Sequence, residues 1–288
     1  MKIALVPNNI NNLDSYTKIG VKTFILGLAG FCINYPSISI KNIKRMANTF
    51  QNIEIFISIN KTIFNHELPI LEKQMIELNE IGIKGVLFYD LGVVSLYNKH
   101  NFSYSLVWHQ THMVTNYNTC NYYYDKGVEY GVLASEITKD EMIEINKKTP
   151  MKLFAFLIGY PIMAHSKRKL LTNYYNSLNQ EYNGDIKIIE EHNNSYMIKE
   201  TEDGTCIFEN NILNGACYIL ELDSSKIEYG IINGFNMDES LLLKVVTLTQ
   251  KIIDEKDSKT IEELKQLIGN NTGFFNKKTI FKVKKDEK

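Results

Sequence analysis

His109 and His112 stand three apart in HQTH, the densest imidazole pair of the chain. Such a pair can hold a metal or carry protons. A three-residue offset on a strand sends the two side chains to opposite faces, so they converge only if the chain turns there. Metal ligation, pocket lining and substrate binding all remain open for them. Asn60, Asp90, Glu136 and Asn233 place amides and carboxylates where apolar runs end, and Asn116 completes this set of pocket candidates. Groups of that kind can orient a small carboxylate ligand or a base. They serve equally well as helix caps or as acceptors for loop amides, and Asp90 is the most ambiguous of them.

A second constellation is basic and aromatic. Lys167, Arg168 and Lys169 are contiguous, Tyr174 and Tyr175 follow, and the closing segment offers Phe274, Phe275, Lys277, Lys278 and Phe281. Cations for phosphates beside rings for bases are what RNA contact requires. Lys167, Arg168, Lys169 and Tyr174 are therefore candidates for binding RNA or a partner, against the plainer reading of solvated charge over packed aromatics. Hydrolytic chemistry finds little here, since neither an H-E-x-x-H metal motif nor a G-x-S-x-G elbow is present. Cys120 paired with a distant histidine stays open, although its place in TNYNTCNYYY favours packing on a helix.

Eight short apolar runs must position these groups: Lys2 to Val6, Thr23 to Leu28, Ile53 to Ile59, Gly85 to Tyr89, Ser105 to Trp108, Tyr130 to Ala134, Lys152 to Ile158 and Glu228 to Ile232. Their near-continuous hydrophobicity suits strands buried on both faces of a parallel sheet. Helical patterns lie between them. Leu68, Leu71, Met75 and Leu78 recur at helical spacing before Gly82, and Thr138 precedes Glu141 at a capping-box distance. The pattern predicts an α/β fold, a (β/α)8 TIM-barrel-like domain over 1–288 whose functional groups gather at the C-terminal ends of the strands.

Between the seventh and eighth runs the chain is about sixty residues longer than a βα loop requires. An inserted subdomain over 161–226 is expected there. SYMIKETEDGTCIFEN alternates on both sides of Asp203-Gly204, which predicts a β-hairpin turning at that pair. Residues 272–288 read as an aromatic and basic C-terminal tail.

Composition narrows the field further. Of the 288 residues 44% are hydrophobic and 23% charged, as in a globular protein with a large core, and the net charge of −1 gives no global attraction for a polyanion. The first ten residues are too weakly apolar for a secretory signal, and no apolar run reaches the roughly eighteen residues of a membrane span. Cys32, Cys120, Cys206 and Cys217 are scattered, which fits free thiols in a reducing, cytoplasmic setting.

The stretch from Gly159 to Tyr174, GYPIMAHSKRKLLTNY, resembles the motif H-G-x-x-C-M-x-x-S-x-R-C-L-L-S-N-Y of the collagenase-like peptidase family U-32. Gly159, Met163, Ser166, Arg168, Leu170, Leu171, Asn173 and Tyr174 fit its frame. Ile158 stands where the family has histidine, and Ile162 and Lys169 stand where it has cysteines. Ile19-Gly20-Val21, Ile57-Ser58-Ile59-Asn60, Ile81-Gly82-Ile83, VTNYNTCNYY and TGFF extend the resemblance along nearly the whole chain. The last two are similar to the short members linked to prephenate-dependent 5-hydroxylation of tRNA uridine.

The resemblance implies a barrel fold and hydroxylation without molecular oxygen. It also implies an iron-sulfur cluster on four cysteines in many members, and unequal paralogues that act as pairs. Since two cysteine positions are replaced, this chain is expected to bind no cofactor alone, with prephenate as the co-substrate of the pathway. Its expected partners are tRNA and a longer cluster-containing paralogue, with no membrane. An accessory or RNA-binding subunit in tRNA modification is the first reading; a non-catalytic binding or scaffold barrel is the second, and a peptidase the third.

Overall fold

The structure, a computed structural model, describes residues 1–191 and 194–277. Lys278, Phe281 and the remainder of the C-terminal tail lie outside the described residues. The eight apolar runs form strands Lys2–Val6, Thr23–Leu28, Glu54–Ile59, Gly85–Phe88, Ser105–Trp108, Tyr130–Val132, Lys152–Gly159 and Tyr229–Asn233. Each runs parallel to its neighbours, and the first pairs with both the eighth and the second, so the sheet closes into a barrel. Closure leaves no strand edge, and both faces of the sheet are covered. Every residue of Thr23–Leu28 is accordingly buried, inside against the barrel core or outside against helices.

The lower end of the barrel is filled by rings. Phe56, Tyr130, Phe154 and Tyr229 lie near the starts of their strands, with centroids 4.3 Å apart for the stacked Phe154 and Tyr229 pair and 5.3 Å for Phe56 and Phe154. The Tyr229 hydroxyl donates to Glu54 Oε2 at 3.0 Å, and Thr23 Oγ1 donates to the same oxygen at 2.8 Å. A polar tip is thus satisfied at the lower rim while the ring bodies exclude water.

Helices form the outer layer, and local sequence fixes their ends. Leu68–Ile81 buries Leu71, Met75 and Leu78 and stops at Gly82, whose φ of 78° is left-handed. Lys139–Lys148 opens with the reciprocal bonds of Thr138 and Glu141. Cys120 is buried in Tyr117–Asp125, the packing position expected of it.

After the seventh strand the chain builds a four-stranded antiparallel sheet in the order Lys187–Glu191, Asn194–Thr201, Gly204–Glu209, Ile162–Ser166. The hairpin at its centre turns one residue earlier than its sequence suggests. Thr201 pairs with Gly204, leaving Glu202 and Asp203 at the tip. Gly204 instead serves close contact: at φ +135° a Cβ there would lie 2.2 Å from the Ser166 carbonyl oxygen. Helix Leu170–Ser177 packs on this sheet, with Glu200 Oε2 accepting from the Leu171 and Thr172 amides at 2.8 and 3.1 Å.

Helices Glu239–Glu255 and Ser258–Ile268 follow the eighth strand. The chain then returns to the barrel wall, where Phe275 is buried and stacks on Tyr218 at 4.8 Å. Phe275 is therefore a core residue, not the surface ring that RNA contact would need. Among the described residues no helix is long and apolar enough to cross a membrane.

Candidate functional site

The loop that leaves the second strand folds over the barrel mouth and is pinned there by one amide. Asn60, at the end of the third strand, accepts the Ile33 N–H on Oδ1 at 3.0 Å and donates from Nδ2 to Asn34 Oδ1. Its own N–H donates to the Phe31 carbonyl at 3.1 Å. A strand-end asparagine thus holds Ile33, Asn34 and Tyr35 across the opening, where Tyr35 lies parallel to the His109 ring at 6.3 Å.

Under this loop is a chamber of about 50 Å³, bordered by Asn60, His109, Ser135, His165 and Asn233. One buried water needs about 10–15 Å³ of such space, so the chamber holds a few waters or a single functional group. His109 Nδ1 is shut off from solvent and has no hydrogen-bond partner among the described residues. Burial pushes its pKa down to about 4, so the imidazole is neutral at pH 7. His165, edge-on to Tyr89 at 5.5 Å, is also lowered by burial and then by the charge of His112. Neutral imidazoles can each accept one proton or hydrogen bond and donate another.

The strand-end candidates separate into three groups. Asn60, His109 and Asn233 come together at the chamber. Asp90 and Asn116 are helix caps: Asp90 takes the Gly92 amide at 2.8 Å and the Ile63 amide at 3.1 Å, and Asn116 takes the Thr119 amide at 2.9 Å. Glu136 lies outside the chamber and faces His112 Nδ1 at 3.0 Å. The HQTH histidines therefore diverge, one into the chamber and one onto the rim.

The basic candidates also part company. Lys167 lies 3.7 Å from Glu67 and 3.5 Å from the centre of the Phe64 ring, so much of its charge is spent within the protein. Arg168, Lys169 and Tyr174 are exposed. Beneath them Lys61, only 8% exposed, bridges Glu67 at 2.8 Å and Asp203 at 3.0 Å, tying the hairpin tip to the barrel.

The sequence profile described as Peptidase family U32 matches residues 8–283. The chain belongs to peptidase family U32. Among curated proteins it is similar to "tRNA hydroxylation protein P2" of Bacillus subtilis (strain 168), at 28% identity over 263 residues, covering 80% of this chain and 82% of that protein. Among solved structures it is similar to the U32 peptidase Mk0906, with a TM-score of 0.45 and 11% identity over 56% of this chain and 70% of that one. Phosphoribosyl anthranilate isomerase of Thermotoga maritima gives 0.43 and 8% over 89% and 100% of the two chains.

The residues that keep the U32 motif here shape the chain. Gly159 has φ +142°, and a Cβ on it would lie 2.8 Å from the Asn233 carbonyl oxygen. Ser166 Oγ accepts the Arg168 amide at 3.1 Å, and the Arg168 carbonyl accepts Thr205 Oγ1 at 2.8 Å. Those that depart from it are incompatible with an iron-sulfur cluster held at the motif. Ile162 packs among Ile33, Met197, Cys206 and Phe208, and Lys169 is exposed where helix Leu170–Ser177 begins. Cluster ligands are thiolates. Burial pushes the Cys32 thiol up to about 11 and the Cys206 thiol up to about 12, and neither residue belongs to the motif. Among the described residues no three of His, Cys, Asp or Glu gather where one metal ion could be held.

Sequence reasoning missed His165, Asn34, Tyr35 and Ser135. His165 lies inside the motif from Gly159 to Tyr174, on a strand whose inward face is set only by its distant pairing partner. Tyr35 was signalled weakly by Pro36, which marks a loop directly after the second strand.

Proposed function

We propose that this U32 protein serves tRNA uridine hydroxylation as an accessory or RNA-binding subunit. It works in the cytoplasm beside a longer paralogue that carries the cluster, with prephenate as the co-substrate of the pathway. The observation that carries the reading is the similarity over 263 residues to a protein named for tRNA hydroxylation. Ile162 and Lys169 support the accessory role, because the motif keeps its backbone frame while losing its thiolates. Arg168 and Lys169 supply phosphate contacts, and Tyr174 supplies a stacking face beside them. The neutral His109 and His165 suit a chamber that receives one polar group, each ring offering it a hydrogen-bond donor and an acceptor.

Deleting the gene and quantifying tRNA nucleosides by mass spectrometry tests this. Loss of 5-hydroxyuridine or its derivatives supports the reading; unchanged levels in a strain without a redundant paralogue overturn it. Co-purification with a cysteine-complete U32 relative supports the accessory role. Full modification by this chain alone, purified and without that relative, rejects that role.

A further inference from the structure

A second space opens at the barrel mouth, on the other side of Ile33, Asn34 and Tyr35. Its volume is about 390 Å³, against about 50 Å³ for the His109 chamber. Small-molecule sites occupy roughly 300–1,000 Å³, so the larger space is the one that can enclose a whole molecule. Its walls include Pro7, Pro36, Phe208 and Phe235. Among the described residues that line it none is acidic, and Lys199 is its cation.

Strand pairing explains why Lys199 is there. Side chains of Asn194–Thr201 alternate, and Met197, buried in the cluster beneath the sheet, fixes which face is inward, so Lys199 and Thr201 share that face. Lys199 pairs with Cys206, and Cys206 with His165. One row across three strands therefore carries Lys199 into the large space and His165 into the small chamber. Lys199 Nζ lies 5.2 Å from the centre of the Phe235 ring, which stacks at 4.2 Å on the buried Phe208. An aromatic face thus positions the ammonium without neutralising it. Asn34 borders both spaces, and since its Oδ1 accepts from Asn60, its amide nitrogen remains a donor.

We infer that the Lys199 cavity binds a small organic anion, a carboxylate or a phosphate monoester, through Lys199 and the Asn34 amide, beside the His109 chamber. A partly buried cation with no carboxylate among the described residues of the cavity wall gains from a charged ligand through a charge-assisted hydrogen bond. Prephenate, the co-substrate named in the proposed function, is such an anion, so the inference rests on that reading and deepens it by giving the anion a site on this chain. The titration reads the site and the nucleoside assay reads the tRNA role, so each can fail alone.

Calorimetric titration of the full chain with benzoate, with uridine 5′-monophosphate and with a ten-residue oligouridylate tests it. Binding of benzoate or the monophosphate is expected, weakened about tenfold or more in Lys199→Met and kept within about threefold in Lys199→Arg, from the usual strength of charge-assisted hydrogen bonds. Lys199→Gln replaces Lys199→Met if the latter does not fold. Absence of binding by both small anions, or binding indifferent to the loss of the charge, overturns the inference. So does Lys199-dependent binding of the oligouridylate alone, which assigns the cavity to a nucleic-acid strand.

Discussion

A neutral imidazole is a different reagent from a charged one, and at His109 burial makes the choice. The unfolded chain takes a proton there below about 6.5, the folded chain only near 4. Between those values the unfolded state holds more protons, so stability falls as pH drops from 6.5 toward 4. His165 is shifted in the same direction and adds to the loss. Denaturant titrations at pH 7.0, 5.5 and 4.5 should show a decline that is shallower in His109→Gln; an unchanged slope would place the proton elsewhere. At this scale the sequence was half legible. Asn60, His109 and Asn233 follow from their place at strand ends. Asp90 and Asn116 occupy equivalent places, yet their oxygens are consumed by helix amides. A short polar side chain after a strand has both uses, and only the path of the next few residues decides between them.

The inserted sheet depends on a few anchors at its tip. Lys61 is nearly buried, and removing it would leave Asp203 without its cation and Glu67 with only the more distant Lys167, both in a partly desolvated space. Lys61→Met should cost about 2–4 kcal/mol, somewhat below the value for a fully buried pair because both carboxylates keep some water. It should also make the Thr201–Gly204 turn more open to proteolysis than the barrel. Urea unfolding and limited digestion measure these two effects, and a loss under about 0.5 kcal/mol would mark the bridge as a surface pair. The hairpin was readable from alternation and a turn signal. The outer strands were not: Ile162–Ser166 finds its partner, Gly204–Glu209, only beyond a helix and two further strands, and register between distant segments leaves no local trace, while Lys187–Glu191 pairs with the strand next to it but lacks the alternation that marked the central hairpin. His165 escaped notice for that reason, whereas Lys199 lies on the readable hairpin and was missed because its cavity is assembled from loops after the first, second and eighth barrel strands.

At the scale of the whole molecule the barrel was the most legible feature. Eight apolar runs separated by helical patterns admit few arrangements, and closure satisfies every strand edge at once. The ring cluster at its base was invisible for a related reason, since Phe56, Tyr130, Phe154 and Tyr229 come from four strands and meet only after closure. Phe56→Ala should cost about 3–5 kcal/mol through the cavity it leaves. Because the change lies at the far end from the mouth, anion binding in the folded fraction should stay within about twofold of wild type, as expected for distant independent sites. Thermal melting and the benzoate titration check the two halves of that statement, and a large affinity loss would reveal coupling along the barrel axis.

The same cluster makes the barrel a vessel with a stoppered bottom. Whatever enters from above must leave by the doorway it came through. For a protein of this shape, occupancy of the mouth is exclusive, and a molecule held there must depart before another of its kind can take its place.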